Sequence, residues 1–132
     1  MATIPSNDDS IIIPVYNRAD LTQQCLTVLA AMTGGPSWEV IVVDNASSDT
    51  TGDFLAQLSG DVQIIRNPRN LGFAPACNQG ARAARGRHLL FLNNDTIPQA
   101  GWLEPLLEEL DTRPEVAIVG SKLLYEDGTV QH

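Results

Sequence analysis

Two carboxylates in this sequence each close a short apolar run. Asp44 follows Val40-Ile41-Val42-Val43, and Asp95 follows Leu89-Leu90-Phe91-Leu92 through the amides Asn93 and Asn94. A carboxylate at such a place can accept hydrogen bonds from a ligand's N–H or hydroxyl groups, or cap the turn behind it; both roles are open for Asp44. Asp95, flanked by two amides, offers hard oxygen donors. Such donors suit Mg2+ or Mn2+, which keep waters and share their remaining positions with a substrate's phosphates. One carboxylate holds such an ion weakly alone, so the metal is expected to arrive largely with a diphosphate. Arg69 is placed to offset the remaining phosphate charge.

The elements that must position these groups are legible as alternating runs. Ser10 to Val15, with three consecutive isoleucines, predicts a buried strand, because a strand covered on both faces shows no alternation. Leu21, Cys25, Val28, Leu29 and Met32 recur at helical spacing before Gly34-Gly35. Trp38 to Val43 predicts a second buried strand, a short helix with Phe54, Leu55 and Leu58 follows, and Val62 to Ile65 predicts a third strand. Phe73 to Arg85 predicts a helix rich in alanine, with Pro75 tolerated in its first turn. Small residues there fit either tight helix–sheet packing or close approach of a ligand. His88 to Leu92 predicts a fourth strand, and Trp102, Leu103, Leu106, Leu107 and Leu110 mark a last helix. Val116 to Val119 and Lys122 to Tyr125 read as two further strands, with a turn at Asp127-Gly128.

Strands alternating with helices predict an α/β fold with an open, mostly parallel, Rossmann-like sheet and helices on both faces. Ligands of such sheets bind at the carboxyl ends of the strands. The residues that follow the four strands are therefore the candidate site: Pro14, Val15, Tyr16, Asn17 and Arg18; Asp44, Asn45 and Ser47; Arg66, Arg69 and Asn70; Asn93, Asn94 and Asp95.

Composition narrows the ligand. The chain has 132 residues, 43% of them hydrophobic and 18% charged, as expected of a folded domain, and its formal net charge is −8. That charge argues against nucleic acid as a partner, because nucleic-acid binding needs a basic field. A phosphate remains compatible. Five of the eight cations, Arg66, Arg69, Arg82, Arg85 and Arg87, lie in one stretch, and they are expected to gather where a diphosphate would sit. No strand is followed by G-x-G-x-x-G or by a P-loop, and no Ser-His-Asp or Cys-His signature is present. The two cysteines, Cys25 and Cys77, lack metal-like spacing and read as free buried thiols, which suits a reducing compartment. With no signal peptide at the polar segment 1–9, the expected localisation is cytoplasmic. Any seat at the inner face of a membrane would come from sequence outside this chain.

The same residues carry a resemblance. Ile11-Ile12-Ile13-Pro14-Val15-Tyr16-Asn17-Arg18 resembles the opening motif of family 2 glycosyltransferases. Val40 to Asp49 is similar to their second motif, and Asn70-Leu71-Gly72-Phe73-Ala74 with Asn78 and Gly80 to their third. Leu90 to Thr96 is similar to their metal-binding DXD segment, and the flavour is rhamnosyltransferase-like. The resemblance implies a GT-A fold over residues 10–132, behind a polar tail over 1–9, and inverting transfer from a UDP- or dTDP-sugar to a saccharide or lipid-linked acceptor in polysaccharide or cell-wall synthesis. It implies that Pro14, Val15, Tyr16, Asn17, Asp44 and Asn45 hold base and ribose, with Asp44 facing the N3–H of a uracil or thymine. It implies that Arg69, Asn70, Gly72 and Asn78 lie near ribose and diphosphate, Asn94 at the ribose edge, and Asp95 on the metal. The first DXD position is Asn93 here, which leaves Asp95 as the main ligand.

An inverting transferase needs a general base. After Asp95 only Glu104, Glu108, Glu109, Asp111, Glu115, Glu126 and Asp127 are available, and none lies in a match to the family's base motif. The expectation is therefore a donor-binding half of a longer enzyme, or a naturally short relative, with apolar surface open to self-association. A nucleotide-sugar-binding module without turnover, or one completed by another chain, stands beside it. A sugar-1-phosphate nucleotidyltransferase fits less well, because Pro14-Val15-Tyr16-Asn17 replaces the Gly-rich basic loop expected after the first strand.

Overall fold

Ile11, Ile12 and Ile13 have no exposed surface, and neither do Ile41, Val42 and Val43. They belong to β1 (Asp9–Val15) and β2 (Trp38–Asp44), the inner strands of a four-stranded sheet described by a computed structural model over residues 9–131. Both faces of these strands are covered, which explains runs without alternation. The outer strands, β3 (Val62–Arg66) and β4 (His88–Phe91), are shorter and only half buried. On β4, Leu89 and Phe91 remain exposed.

The sheet order is β3-β2-β1-β4, and every ladder is parallel. The helices between strands are α1 (Ala19–Ala31), α2 (Thr51–Leu55) and α3 (Phe73–Ala83). Connections from β1 to β2 and β2 to β3 step one way across the sheet, and the next one returns past both to reach β4. With right-handed crossovers, α1 and α2 fall on one face and α3 on the other. The contacts agree: α1 meets α2, while α3 packs on β1 and β2. On the α3 face Ile12, Ile41, Val43 and Ala76 form one buried cluster. A Cβ on Gly80 would collide with the Ile12 side chain, so the small residues on this part of α3 serve close packing. Full burial of one such isoleucine is worth about 1.5–3 kcal/mol.

The chain divides into two compact units after Pro98. The first contains the whole sheet and α1–α3. The second contains α4 (Glu104–Thr112), with Pro105 in its first turn, where a missing N–H costs nothing. Two expectations fail in this unit. Val116 to Val119 is not a strand, and the run from Lys122 to Tyr125 is reduced to a single bridge between Leu124 and Val130. Apolar β-branched residues meet the local requirement for a strand, but a strand also needs a ladder. Among the described residues nothing pairs with 116–119. The turn does form: Gly128 has φ +84° and Asp127 Oδ1 accepts hydrogen bonds from the N–H and hydroxyl of Thr129.

Most of the tail expected over 1–9 lies outside the described residues; Asp9, its last residue, instead opens β1. No helix among the described residues is long and apolar enough to cross a membrane.

Candidate functional site

Strand register builds the site. Val15 pairs with Asp44 across β1 and β2, and Asp44 with Arg66 across β2 and β3, so three strand ends lie in one row. The turn at β4 closes beside it: β1 and β4 pair through Ile12 and Phe91, and Leu92 N–H donates to Ile12 O at 2.9 Å. The loops after β1 and after β4 leave neighbouring strands next to the point where the winding reverses, the usual place for a ligand crevice in this architecture.

Three non-glycine residues at this edge have left-handed backbone: Asn17 at φ 56°, Arg18 at 57° and Ala46 at 63°. Such conformations cost roughly 1–3 kcal/mol each and persist where surrounding bonds fix them. The bonds are present. Asn17 N–H donates to Ser47 Oγ at 2.8 Å, and Asn17 Oδ1 accepts from the N–H of Ser48 at 2.8 Å and of Asp49 at 3.3 Å. Asp49 Oδ2 in turn accepts from Ala19 N–H, capping α1, which has no cap of its own. Hydrogen bonds, first from Thr51 and then from the start of α1, hold the Asp49 carboxyl below the usual carboxylate range.

Asp44 is fully buried. Its Oδ1 accepts from Ser47 N–H at 2.9 Å, so the turn-capping role is real. Its Oδ2 makes no hydrogen bond, although Arg66 Nη1 stands 3.3 Å away. Arg66 also donates to Ser47 O. A buried acceptor without a hydrogen bond at a loop junction is an atom that a ligand's N–H can satisfy.

Asn45 links this turn to the next loop. It accepts from Asn67 Nδ2 at 2.9 Å and Leu71 N–H at 3.4 Å, and donates to Gly72 O at 3.0 Å. Asn70 Oδ1 accepts from Gly72 N–H, and Gly72 itself has φ +91°, which favours glycine at that position. Arg69, Asn70 and Asn78 are exposed. Arg69 forms no ion pair among the described residues. After β4, Asn94 donates to Thr22 on α1 at 3.0 Å, while Asp95 is exposed. Asp95 is near enough to Arg18 and Cys25 for its charge to favour the guanidinium and disfavour the thiolate. Burial is the larger reason that the Cys25 thiol titrates high, and burial does the same to Cys77, so both thiols are poor nucleophiles.

The structure therefore brings Pro14, Val15, Tyr16, Asn17, Asp44, Asn45, Asn94 and Asp95 to one edge, with the loop carrying Arg69, Asn70 and Gly72 tied to it. Pro14 and Val15 are buried and present backbone, whereas Tyr16 is exposed. The side chains of Asn17, Asn45 and Asn94 are engaged between loops. Asn67 and Gln79, which sequence reasoning did not select, turn out to be buried or half-buried parts of the same network. Their only signal is an amide in a loop and another on a helix.

The gathered cations need correction. Arg66 and Arg69 lie at the carboxyl edge. Arg85 instead pairs with Glu39 at 2.8 Å and Asp61 at 2.9 Å, at the amino ends of β2 and β3. It follows a helix that runs back across the sheet, so residues late in the stretch arrive at the opposite end.

Among the described residues no group of three or more His, Cys, Asp and Glu could hold a metal. Asp95 alone fits a divalent ion as a single hard oxygen ligand, with the other positions left to water and ligand oxygens.

The sequence profile described as "Glycosyl transferase family 2" matches residues 10–131. The O-antigen biosynthesis protein RfbC of Myxococcus xanthus is 39% identical over 93% of this chain and 10% of its own length. The putative teichuronic acid biosynthesis glycosyltransferase TuaG of Bacillus subtilis is 32% identical over 91% of this chain and 49% of its own. Among solved structures, mannosyltransferase PcManGT from Pyrobaculum calidifontis, in complex with GDP-Man and Mn2+, superposes with TM-score 0.71 and 26% identity. That match covers 78% of this chain and 32% of the other. S. aureus TarS 1-349 with UDP-GlcNAc shares the fold, at TM-score 0.70 and 21% identity over 90% of this chain and 38% of that one. The chain thus spans about half or less of the length of these relatives.

Proposed function

The chain belongs to glycosyl transferase family 2, and on that premise we propose that it is the donor-binding part of an inverting glycosyltransferase. The donor is a nucleotide-diphosphate sugar, with UDP or dTDP as the favoured carrier. The observation that carries this reading is Asp44: a fully buried carboxylate at the strand ends with one oxygen spent on the turn and the other facing Arg66 without a hydrogen bond. A carboxylate oxygen with no hydrogen bond of its own suits the N3–H of uracil or thymine. Arg66, whose side chain is half exposed, has room to move off it.

Around that anchor, Tyr16 offers an exposed aromatic face for the base, and the backbone of Pro14 to Asn17 lies along the ribose. Arg69 and Asn70 reach for the diphosphate, with Gly72 and Asn78 beside them. Asn94 sits at the ribose edge and Asp95 holds Mg2+ or Mn2+, which would screen the diphosphate and ease its departure when bound. That PcManGT carries Mn2+ and GDP-Man supports the metal and widens the choice of base. The names RfbC and TuaG support a saccharide or lipid-linked acceptor in surface polysaccharide synthesis.

No carboxylate after Asp95 is identified as the general base. Glu109 and Glu115 pair with Arg113, and Asp127 is bonded to Thr129. This favours donor binding over complete turnover for this chain. Calorimetric titration with UDP, dTDP and GDP, each with and without Mn2+, tests the reading. Saturable binding of at least one, tighter with Mn2+, is expected; no binding of any at millimolar concentration would refute it.

A further inference from the structure

Resting on the donor-site reading, we propose that Asn45, Asn67 and Gln79 form an amide relay that positions the 67–72 loop for the donor's diphosphate. The relay then sets the diphosphate's share of the affinity and leaves the nucleoside's share alone.

Asn67 is the centre. Its Nδ2 donates to Asn45 Oδ1 at 2.9 Å and to Gln79 Oε1 at 2.7 Å, and its Oδ1 accepts from Gln79 Nε2 at 2.7 Å. Both amide hydrogens of Asn67 are therefore committed, and the side chain is nearly inaccessible. Its backbone N–H donates to Asp44 O at 2.8 Å. Asn45 passes the connection on to Leu71 N–H and Gly72 O. Three elements, the ends of β2 and β3 and the body of α3, are joined through three side chains.

Amides are directional: one end donates and the other accepts. A buried chain of them is stable only when every member faces the right way, because an unmatched donor or acceptor there loses its water without gaining a partner. The relay thus admits one arrangement of the loop. The loop is clamped at Asn67 and again at Leu71 and Gly72, and Arg69 and Asn70 lie between the clamps, exposed. A guanidinium held on a fixed loop meets an anion with less ordering left to do. The Asp44 side chain, in contrast, is set by Ser47 N–H, which belongs to the turn between β2 and α2 and not to the relay; the relay residue Asn67 meets Asp44 only at its backbone O. The two halves of a nucleotide diphosphate are consequently served by different side-chain supports.

The experiment compares uridine with UDP in the presence of Mn2+, by NMR titration and calorimetry, on the wild type and on Asn67→Asp and Gln79→Ala. Asn67→Asp keeps the shape but sets an oxygen against Asn45 Oδ1 and Gln79 Oε1. Gln79→Ala removes the far end of the relay from a helix that alanine favours. UDP affinity is expected to fall about tenfold in both, the scale of one hydrogen bond to a charged group, with uridine affinity changed by no more than about twofold. Removing Arg69 as well should then cost less than it does in the wild type, since coupled residues are not additive. Unchanged UDP affinity in both variants overturns the proposal, and so does an equal loss for uridine and UDP. Should Asn67→Asp fail to fold, Gln79→Ala and the gentler Gln79→Glu decide by the same comparison. The nucleoside and its diphosphate are taken from whichever nucleotide the wild type binds; a wild type that binds none of UDP, dTDP and GDP overturns the donor-site reading itself, and this proposal with it.

Discussion

The two ends of one sheet treat charge in opposite ways. At the amino ends, the buried carboxylates of Asp9 and Glu39 meet protein partners, although Asp9 Oδ2, like Asp44 Oδ2, accepts no hydrogen bond. Glu39 Oε1 accepts from Ser10 Oγ at 2.7 Å and Arg85 N–H at 2.6 Å, and its Oε2 accepts from Arg85 Nε at 2.9 Å. His88 closes on Asp9 at 2.7 Å, and Gly86 N–H donates to Ser10 Oγ. At the carboxyl ends, neutral amides tie the loops, Asp44 Oδ2 faces only the half-exposed Arg66 guanidinium and accepts no hydrogen bond, and Asp95 and Arg69 stand exposed. A parallel sheet aligns all its strand ends, so it can concentrate internal pairing at one edge and leave ligand-ready groups at the other. Changes at the amino edge should therefore alter stability, and changes at the carboxyl edge should alter affinity.

The largest effect is expected at Gly86. A Cβ there would strike the Asp9 backbone, which has no flexible end to yield. Gly86→Val should lower stability by about 3 kcal/mol, near the upper end for overpacking, read as a lower melting temperature. Nucleotide affinity of the protein that remains folded should be unchanged. A lost affinity with intact stability would break the division between edges.

Next comes Glu39. Burial alone would raise its pKa, but the bonds from Ser10 and Arg85 together outweigh burial and hold it below the usual carboxylate range. A carboxylate lowered on folding stabilises the protein above its unfolded pKa, about 4.3, and loses that contribution as pH falls through its lower folded value. Denaturant titrations below about pH 4.5 should show this loss in the wild type and a flatter acid limb in Glu39→Gln. Arg85→Ala should lower the melting temperature only modestly at neutral pH, because the guanidinium is largely exposed.

The smallest stability effect belongs to Asp95. Asp95→Asn should shift unfolding by no more than about 0.5 kcal/mol, as for an exposed residue without a structural bond, while reducing the gain in nucleotide affinity brought by Mn2+. A marked loss of stability would mean that Asp95 serves the fold.

Most of the fold could be read from the residues because local and global demands agree there. The isoleucines of β1 and the valines of β2 are apolar in every position that the sheet buries. Val116 to Val119 shows the limit, since pairing depends on a partner that no local pattern reveals. That the candidate residues share one edge was legible, because a parallel sheet sends every strand-end loop there. How those residues divide the work was not. Asn45 reads as a ligand contact, and its side chain also braces two loops; the network's other members, Asn67 and Gln79, lie 22 residues away and a further 12 along, with no repeating spacing to join them. Arg85 reads as a phosphate ligand for its neighbours in sequence, yet one helix carries it to the opposite edge.

The donor site at the carboxyl edge is tested most directly by one titration series, following the nucleotide that the wild type binds best. Asp44→Asn keeps an acceptor for Ser47 N–H but turns the oxygen beside Arg66 into a donor. Affinity is expected to fall about tenfold or more with or without Mn2+, the scale of a hydrogen bond to a charged group. Equal affinity in Asp44→Asn and wild type would contradict the account.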